Sequence, residues 1–209
     1  MKFITTATLN WFDDGCCDVK YLDMWNDMQL NYVPGQKTDG NWYSDHFEHR
    51  IGHDPEGKLY KTAVALLQQY EFYPKDSIAV VGDHNVYRRQ IEVGDRIVHR
   101  VHVFQFRGHP ILDAIAMTEI TKVVNEPRRY GITYATVDKH VEQGEWTAMV
   151  TWQQNNDVVL TIDSLSRPVP NEPVRNYNFL RSLQKNAQRR GVEHFTERVK
   201  ENGHISVEG

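Results

Sequence analysis

The chain has almost no cysteine, no long apolar run and no surplus of positive charge. Only two cysteines occur in 209 residues, and they are neighbours, Cys16 and Cys17. Adjacent cysteines reach disulfide geometry only under strain, which argues against a disulfide-built secreted domain and favours a reducing, cytoplasmic compartment. They also lack the Cys-x-x-Cys spacing and basic neighbours of a redox or soft-metal pair. No stretch approaches the ~18 apolar residues that a membrane span needs. The opening MKFITTATLNWFDDG interrupts its apolar residues with Thr and Asn, unlike a signal peptide. Lys and Arg number 24 against 28 Asp and Glu, for a net charge of -4. No global positive field is therefore available to gather nucleic acid or anionic lipid. The cluster Lys185, Arg189 and Arg190 reads as a solvated helix face. VVGDHN carries one glycine and makes no phosphate loop, and no dinucleotide fingerprint or nucleophile elbow is found. No cofactor is expected.

What is present is the composition of a globular protein, 40% hydrophobic and 25% charged. The length suits one large domain better than two. Residues 1–28, with scattered aromatics and acids, read as an extension packed on a single domain over 29–200. Residues 201–209 read as a flexible tail.

GKLYKTAVALLQQYEF places Leu59, Ala63, Leu66, Leu67 and Tyr70 at helical spacing, after Pro55 and Gly57 and before Pro74. A series of strands follows: Ser77 to Gly82, Gly94 to Phe106, Ala116 to Glu126, Tyr130 to Thr136, Glu145 to Gln154 and Asp157 to Ser166. NEPRR and QNND have the composition of tight turns, so these strands run antiparallel. HFEHRIG adds an early strand and LNYV a further candidate. After the proline-rich RPVPNEP, a helix runs from Val174 to Glu201, roughly 40 Å at ~1.5 Å per residue. Tyr177, Leu180, Leu183, Ala187, Phe195 and Val199 form its apolar stripe, with Gly191 a candidate bend. The expected class is α+β: an antiparallel sheet of about six or seven strands curved around a long C-terminal helix. This is the helix-grip architecture. Both faces of Gly94–Phe106 mix apolar with polar residues, His99 on one and Arg100 and His102 on the other. That mixture suits a sheet lining a cavity.

NEPRRYGITYATVDKHVEQGEW followed by LTIDSLSRP resembles the domain-of-unknown-function family numbered 1990. Tyr134 and Thr136 stand at that family's Tyr and Thr positions. His140, Glu142, Gly144 and Glu145 match its loop, and Ser166, Arg167 and Pro168 its strand end. Ala135, Val141 and Trp146 depart from the pattern. LNYV, RIGHDPEGKLYKTAVALL and, downstream, Arg181 and Gln184 extend the likeness over about Leu30 to Val199. The resemblance implies a fold akin to START-like and birch-pollen-allergen-like proteins, with a cavity. It supplies no reaction.

The cluster His140, Glu142 and Glu145 admits a structural, a ligand-contacting or a metal-binding role. The structural role takes precedence: Glu145 pairs with Arg167 and pins a hairpin tip. Arg167 equally suits a ligand carboxylate or phosphate. His46, His49 and His53 have zinc-like spacing only on a helix. In a strand, His46 points away from the other two, so no metal is assigned. The leading function is binding of a small, largely apolar molecule. The expected wall is Tyr32, Val101, Val103, Tyr134 and Thr136. Ile162 and Ser164 extend it, with Arg167 and Glu145 as polar anchors. An enzyme of cyclase, hydratase or hydrolase type would use Glu145 or His140 as its acid-base group. A third reading is a ligand-free interaction or oligomerisation domain built on the N-terminal aromatics and the last helix.

Overall fold

The two-residue turn at 127–128 and the four-residue turn at 153–156 leave each following strand no course but back beside its predecessor. The computed structural model describes residues 8–11, 18–36, 42–106, 109–169 and 177–205, so Cys16 and Cys17 lie outside the described residues. Strand β1 (Thr8–Trp11) and helix α1 (Val19–Met24) come first. Strand β2 (Tyr43–His53) and helix α2 (Lys58–Gln68) follow. Then come β3 (Ile78–Gly82), the short helix α3 (Asp83–Tyr87), β4 (Arg96–Phe106) and β5 (His109–Glu126). Strands β6 (Arg129–Thr136), β7 (Glu142–Trp152) and β8 (Asp157–Pro168) precede the long helix α4 (Tyr177–Ile205). Helix α4 thus extends beyond residue 201, where the sequence reads a tail.

All strand pairs are antiparallel, in the order β2-β8-β7-β6-β5-β4-β3. Strand β1 pairs with the first half of β5, from Thr8 opposite Ile115 to Trp11 opposite Leu112, continuing the line of β6. Together with α4 this is the helix-grip arrangement. LNYV forms no strand: Leu30 makes a single bridge to Val137. Helix α3 is an addition to the sequence reading; its five residues are too few to carry a periodic signal.

Alternation assigns the faces. Ile97, Ile120, Ile132, Ala148, Val150, Leu160 and Ile162 turn inward and meet Ala63 and Leu67 of α2 and Val192, Phe195 and Val199 of α4. Burying each such side chain is worth about 1.5–3 kcal/mol. On the outer face, Val98, Ile115 and Met117 meet Tyr21, Leu22, Trp25 and Met28. Helix α2 starts where the Asp54 carboxylate accepts from the N–H groups of Lys58 and Tyr60, each at 3.0 Å. It ends at Gln68 rather than at Pro74, and Tyr70 turns the chain with a positive φ of 56°. Gly191 serves a close approach: a Cβ there would fall 2.4 Å from the Phe72 ring.

Candidate functional site

The last turns of α4 fill the core, but its first half does not. There Arg181, Leu183, Gln184 and Ala187 roof a cavity of about 330 Å³ over the inner sheet face. The floor is laid by parity. Val101 and Val103 of β4, Ala114, Ala116 and Thr118 of β5, and Tyr134 and Thr136 of β6 all point to it. Ser164 and Ser166 of β8 and Trp146 of β7 complete the wall, with Trp146 stacked on Tyr134 at 5.2 Å. The size falls at the lower end of the small-molecule range.

Several polar groups face this cavity. His99 is 7% exposed, and its Nε2 lies 3.1 Å from the Tyr70 hydroxyl. Burial, with His140 nearby as a lesser cause, pushes its pKa down to about 3. His140 is pushed down to about 4, again by burial. The Glu142 backbone engages its Nδ1 from both groups, the N–H at 3.1 Å and the carbonyl oxygen at 3.2 Å. Tyr70, Tyr73 and Tyr134 are all raised, burial being the first cause. Phenols and imidazoles here are therefore uncharged at neutral pH. Glu142, 3% exposed, accepts from the Gln184 amide. Asp45 holds Arg181 at 2.5 Å.

The β6–β7 connection is held by residues 29–31. The Asn31 side chain donates to the Glu142 carbonyl at 3.1 Å and accepts from the Thr136 hydroxyl at 2.5 Å. Gln143 returns a bond to the Asn31 carbonyl at 2.8 Å, and Asp138 N–H reaches the Gln29 carbonyl at 2.8 Å. This strap takes the place of the expected Glu145–Arg167 pair. Glu145 and Arg167 belong to the outer face instead. Glu145 accepts from the Tyr32 hydroxyl at 3.4 Å, and Tyr32 is raised by its burial and by that carboxylate. Arg167 donates to Gln143 at 3.0 Å and lies 4.5 Å over the Trp42 ring.

Of the residues singled out from sequence, Val101, Val103, Tyr134, Thr136, Ser164, His140 and Glu145 border the cavity. Glu145 does so with its carboxylate turned away to Tyr32. Tyr32 and Arg167 lie on the outer side, and Ile162 is sealed in the core at 1% exposure. The inward carboxylate is Glu142, which sequence reasoning placed in the loop without choosing it. Its parity with Trp146, Ala148 and Val150 carries the signal. His99 was legible the same way, on one face with Val101 and Val103. The three strand histidines form no cluster. His46 meets Asp163 at 2.6 Å, and His53 shares Asp157 with Arg50 after a bulge between Arg50 and Gly52. No metal-holding group of three occurs among the described residues. Nor is any helix there long and apolar enough to cross a membrane.

The sequence pattern of the family described as Domain of unknown function (DUF1990) matches residues 31–194, and the chain belongs to that family. No curated protein matches. Among solved structures, the hypothetical protein jhp0584 from Helicobacter pylori superposes with a TM-score of 0.53 at 12% identity, covering 79% of this chain and 90% of its own. That likeness speaks for the fold alone. Major latex-like protein 151 from Panax ginseng gives 0.42 at 16% identity, covering 75% and 99%. Ara h 8.0201 gives 0.45 at 11% identity, covering 77% and 99%. Neither of these two carries an argument.

Proposed function

We propose that this DUF1990 protein binds a small, largely apolar molecule between its sheet and the first half of α4. One observation carries the reading. A cavity of about 330 Å³ persists where the same helix, one turn further on, is packed solid against Phe72 and the sheet. Interiors are normally filled to crystal density, and an unfilled apolar space forfeits its contacts. A ligand that restores them gains affinity without any rearrangement of the core.

The test is native mass spectrometry of freshly purified protein before and after mild denaturation, beside Ala116→Trp. Ala116 lies on the cavity wall, so the indole would fill the space. The expected result is a co-purifying small molecule in the parent and none in the variant. An equal load in a folded Ala116→Trp protein would sink the reading.

A second reading, catalysis, is favoured by His140. Its ring is neutral, its Nδ1 is engaged by the Glu142 backbone, and its Nε2 remains to exchange a proton with a bound molecule. Cyclase, hydratase and hydrolase chemistry all need such a group, with Glu142 the nearby inward carboxylate in place of Glu145. Prolonged incubation with the identified ligand separates the readings. Turnover alters the ligand mass or its isomer, and pure binding leaves both unchanged.

A further inference from the structure

Resting on the binding reading, the geometry points to a ligand hydroxyl held between His99 and His140, which makes the bound molecule an apolar alcohol or phenol. Both side chains border the cavity, His99 from β4 and His140 from the β6–β7 connection. Each ring has one nitrogen engaged by the protein. His99 Nε2 lies 3.1 Å from the Tyr70 hydroxyl, and His140 Nδ1 meets the Glu142 backbone at 3.1 and 3.2 Å. The other nitrogens, His99 Nδ1 and His140 Nε2, have no hydrogen-bond partner among the described residues. Neither is sealed in: the fully enclosed unpaired side-chain atoms among the described residues are His84 Nδ1, Thr118 Oγ1 and Thr196 Oγ1. His99 is 7% exposed, with its ring 5.5 Å from those of Tyr70 and Tyr134, so what surface it keeps opens on the cavity. A few polar atoms in an apolar wall are what fixes a ligand's orientation.

The two rings also select the group. His140 stands near enough to His99 to add to the depression of its pKa, and burial keeps both uncharged. A neutral imidazole carries one N–H and one lone pair. A hydroxyl is the group that gives its proton to a lone pair and takes an N–H on its oxygen at once, and it fits whichever ring plays which part. A ketone or ether oxygen accepts without donating. A carboxylate asks for two N–H donors and meets the Glu142 carboxylate on the same wall. An ammonium asks for two lone pairs and leaves an N–H unserved.

Five probes on one frame test this at pH 7.5: 2-naphthol, 2-methoxynaphthalene, 2-methylnaphthalene, 2-naphthoate and 2-naphthylmethylammonium. Dissociation constants are read by fluorescence for the full chain, His99→Phe and His140→Phe. The expected order puts 2-naphthol about 30-fold ahead of 2-methylnaphthalene, the net worth of two ordinary hydrogen bonds at about fivefold each. The methoxy compound, which accepts without donating, falls between them, and both ions bind more weakly than 2-naphthol. Either substitution cuts the 2-naphthol preference to about fivefold or below, while 2-methylnaphthalene stays within about twofold and so reports an intact cavity. The comparison within the parent protein stands by itself if a variant does not fold. A 2-naphthol preference that is absent, that 2-methoxynaphthalene or a charged probe equals, or that survives either substitution overturns the proposal and leaves the cavity reading standing. Failure of every probe to bind overturns both.

Discussion

Strand β4 buries polar side chains on both faces, and does so by opposite means. Inward, His99 is kept neutral among Tyr70, Tyr134 and the cavity. Outward, its neighbour Arg100 keeps its charge at 2% exposure. Two carboxylates make this tolerable. Arg100 reaches Asp113 at 2.9 Å, and its Nε lies 2.9 Å from Asp18, the residue leading into α1. His102 adds a contact to Asp113 at 2.8 Å. The outer face is thus closed by countercharge supplied from the N-terminal segment. The inner face of β4 keeps its imidazole neutral and borders a space. A buried ion needs a complete partner set; a receptive cavity needs an incomplete one.

The largest effect comes from breaking the outer face. Arg100→Met leaves the buried Asp113 and the partly buried Asp18 without their guanidinium, and is expected to cost about 3–5 kcal/mol in urea unfolding. Replacing Asp18, Arg100 and Asp113 together by apolar residues should recover most of that, because the ionic trio has a desolvation cost of its own. A single variant losing under about 1 kcal/mol would refute the contrast.

Acid probes the inner face. His99 and His140 titrate at about 3 and about 4 when folded, against an ordinary 6.5. Below pH 6.5 the unfolded chain therefore binds protons that the folded protein refuses, and stability falls as pH falls. The loss reaches up to about 2 kcal/mol per histidine by pH 5 and continues toward the folded values. His49, His84 and His194, also lowered by burial, add to the slope, while His46, raised by Asp163, opposes it. Urea unfolding at pH 7, 6 and 5 reads the slope. His99→Phe should flatten it, and an unchanged slope would mean that His99 is not held neutral by burial.

Gly144 tests how tightly the inner wall is drawn. Its φ is 154°, and a Cβ there would fall 2.0 Å from the Leu165 carbonyl oxygen of β8. Gly144→Ala must push β7 from β8 beside the cavity, at a cost of about 1–3 kcal/mol. The melting temperature should fall by about 2–4 °C per kcal/mol. A melting temperature equal to the parent's would show that the wall gives way freely.

Much of this was legible from alternation, and its gaps have physical causes. Period two along β4 and β8 sorts inner from outer residues, but cannot say what covers each face. The mixed faces read as one cavity therefore have two origins, the cavity inside and the Asp18–Arg100–Asp113 group outside. The strap at 29–31 escapes any pattern reading, because LNYV has strand composition yet spends its hydrogen bonds on a single connection. Its long-range partners, over a hundred positions away, leave no local trace. The helix α4 stripe is legible as one apolar face, but the division between Phe195 and Val199 in the core and Leu183 and Ala187 over the cavity depends on what each turn meets across the sheet, which helical spacing does not encode. Beginning β7 at Glu145 rather than Glu142 hid three residues whose parity points Glu142 inward.

That last difference makes the finest test. Glu142 and Glu145 lie three apart on one strand, on opposite faces. At an effective dielectric of about 20, a carboxylate roughly 8 Å from a bound anion opposes it by about 2 kcal/mol, a factor of about 30. Glu142→Gln should therefore tighten 2-naphthoate binding by up to about 30-fold and leave 2-naphthol nearly unchanged. Glu145→Gln, whose carboxylate meets Tyr32 on the far side of the strand, should move either affinity by less than about twofold and stability by about 0–1 kcal/mol. If the two variants shift 2-naphthoate equally, the two faces are not electrically separate. The cavity would then feel the charged outer surface through the sheet.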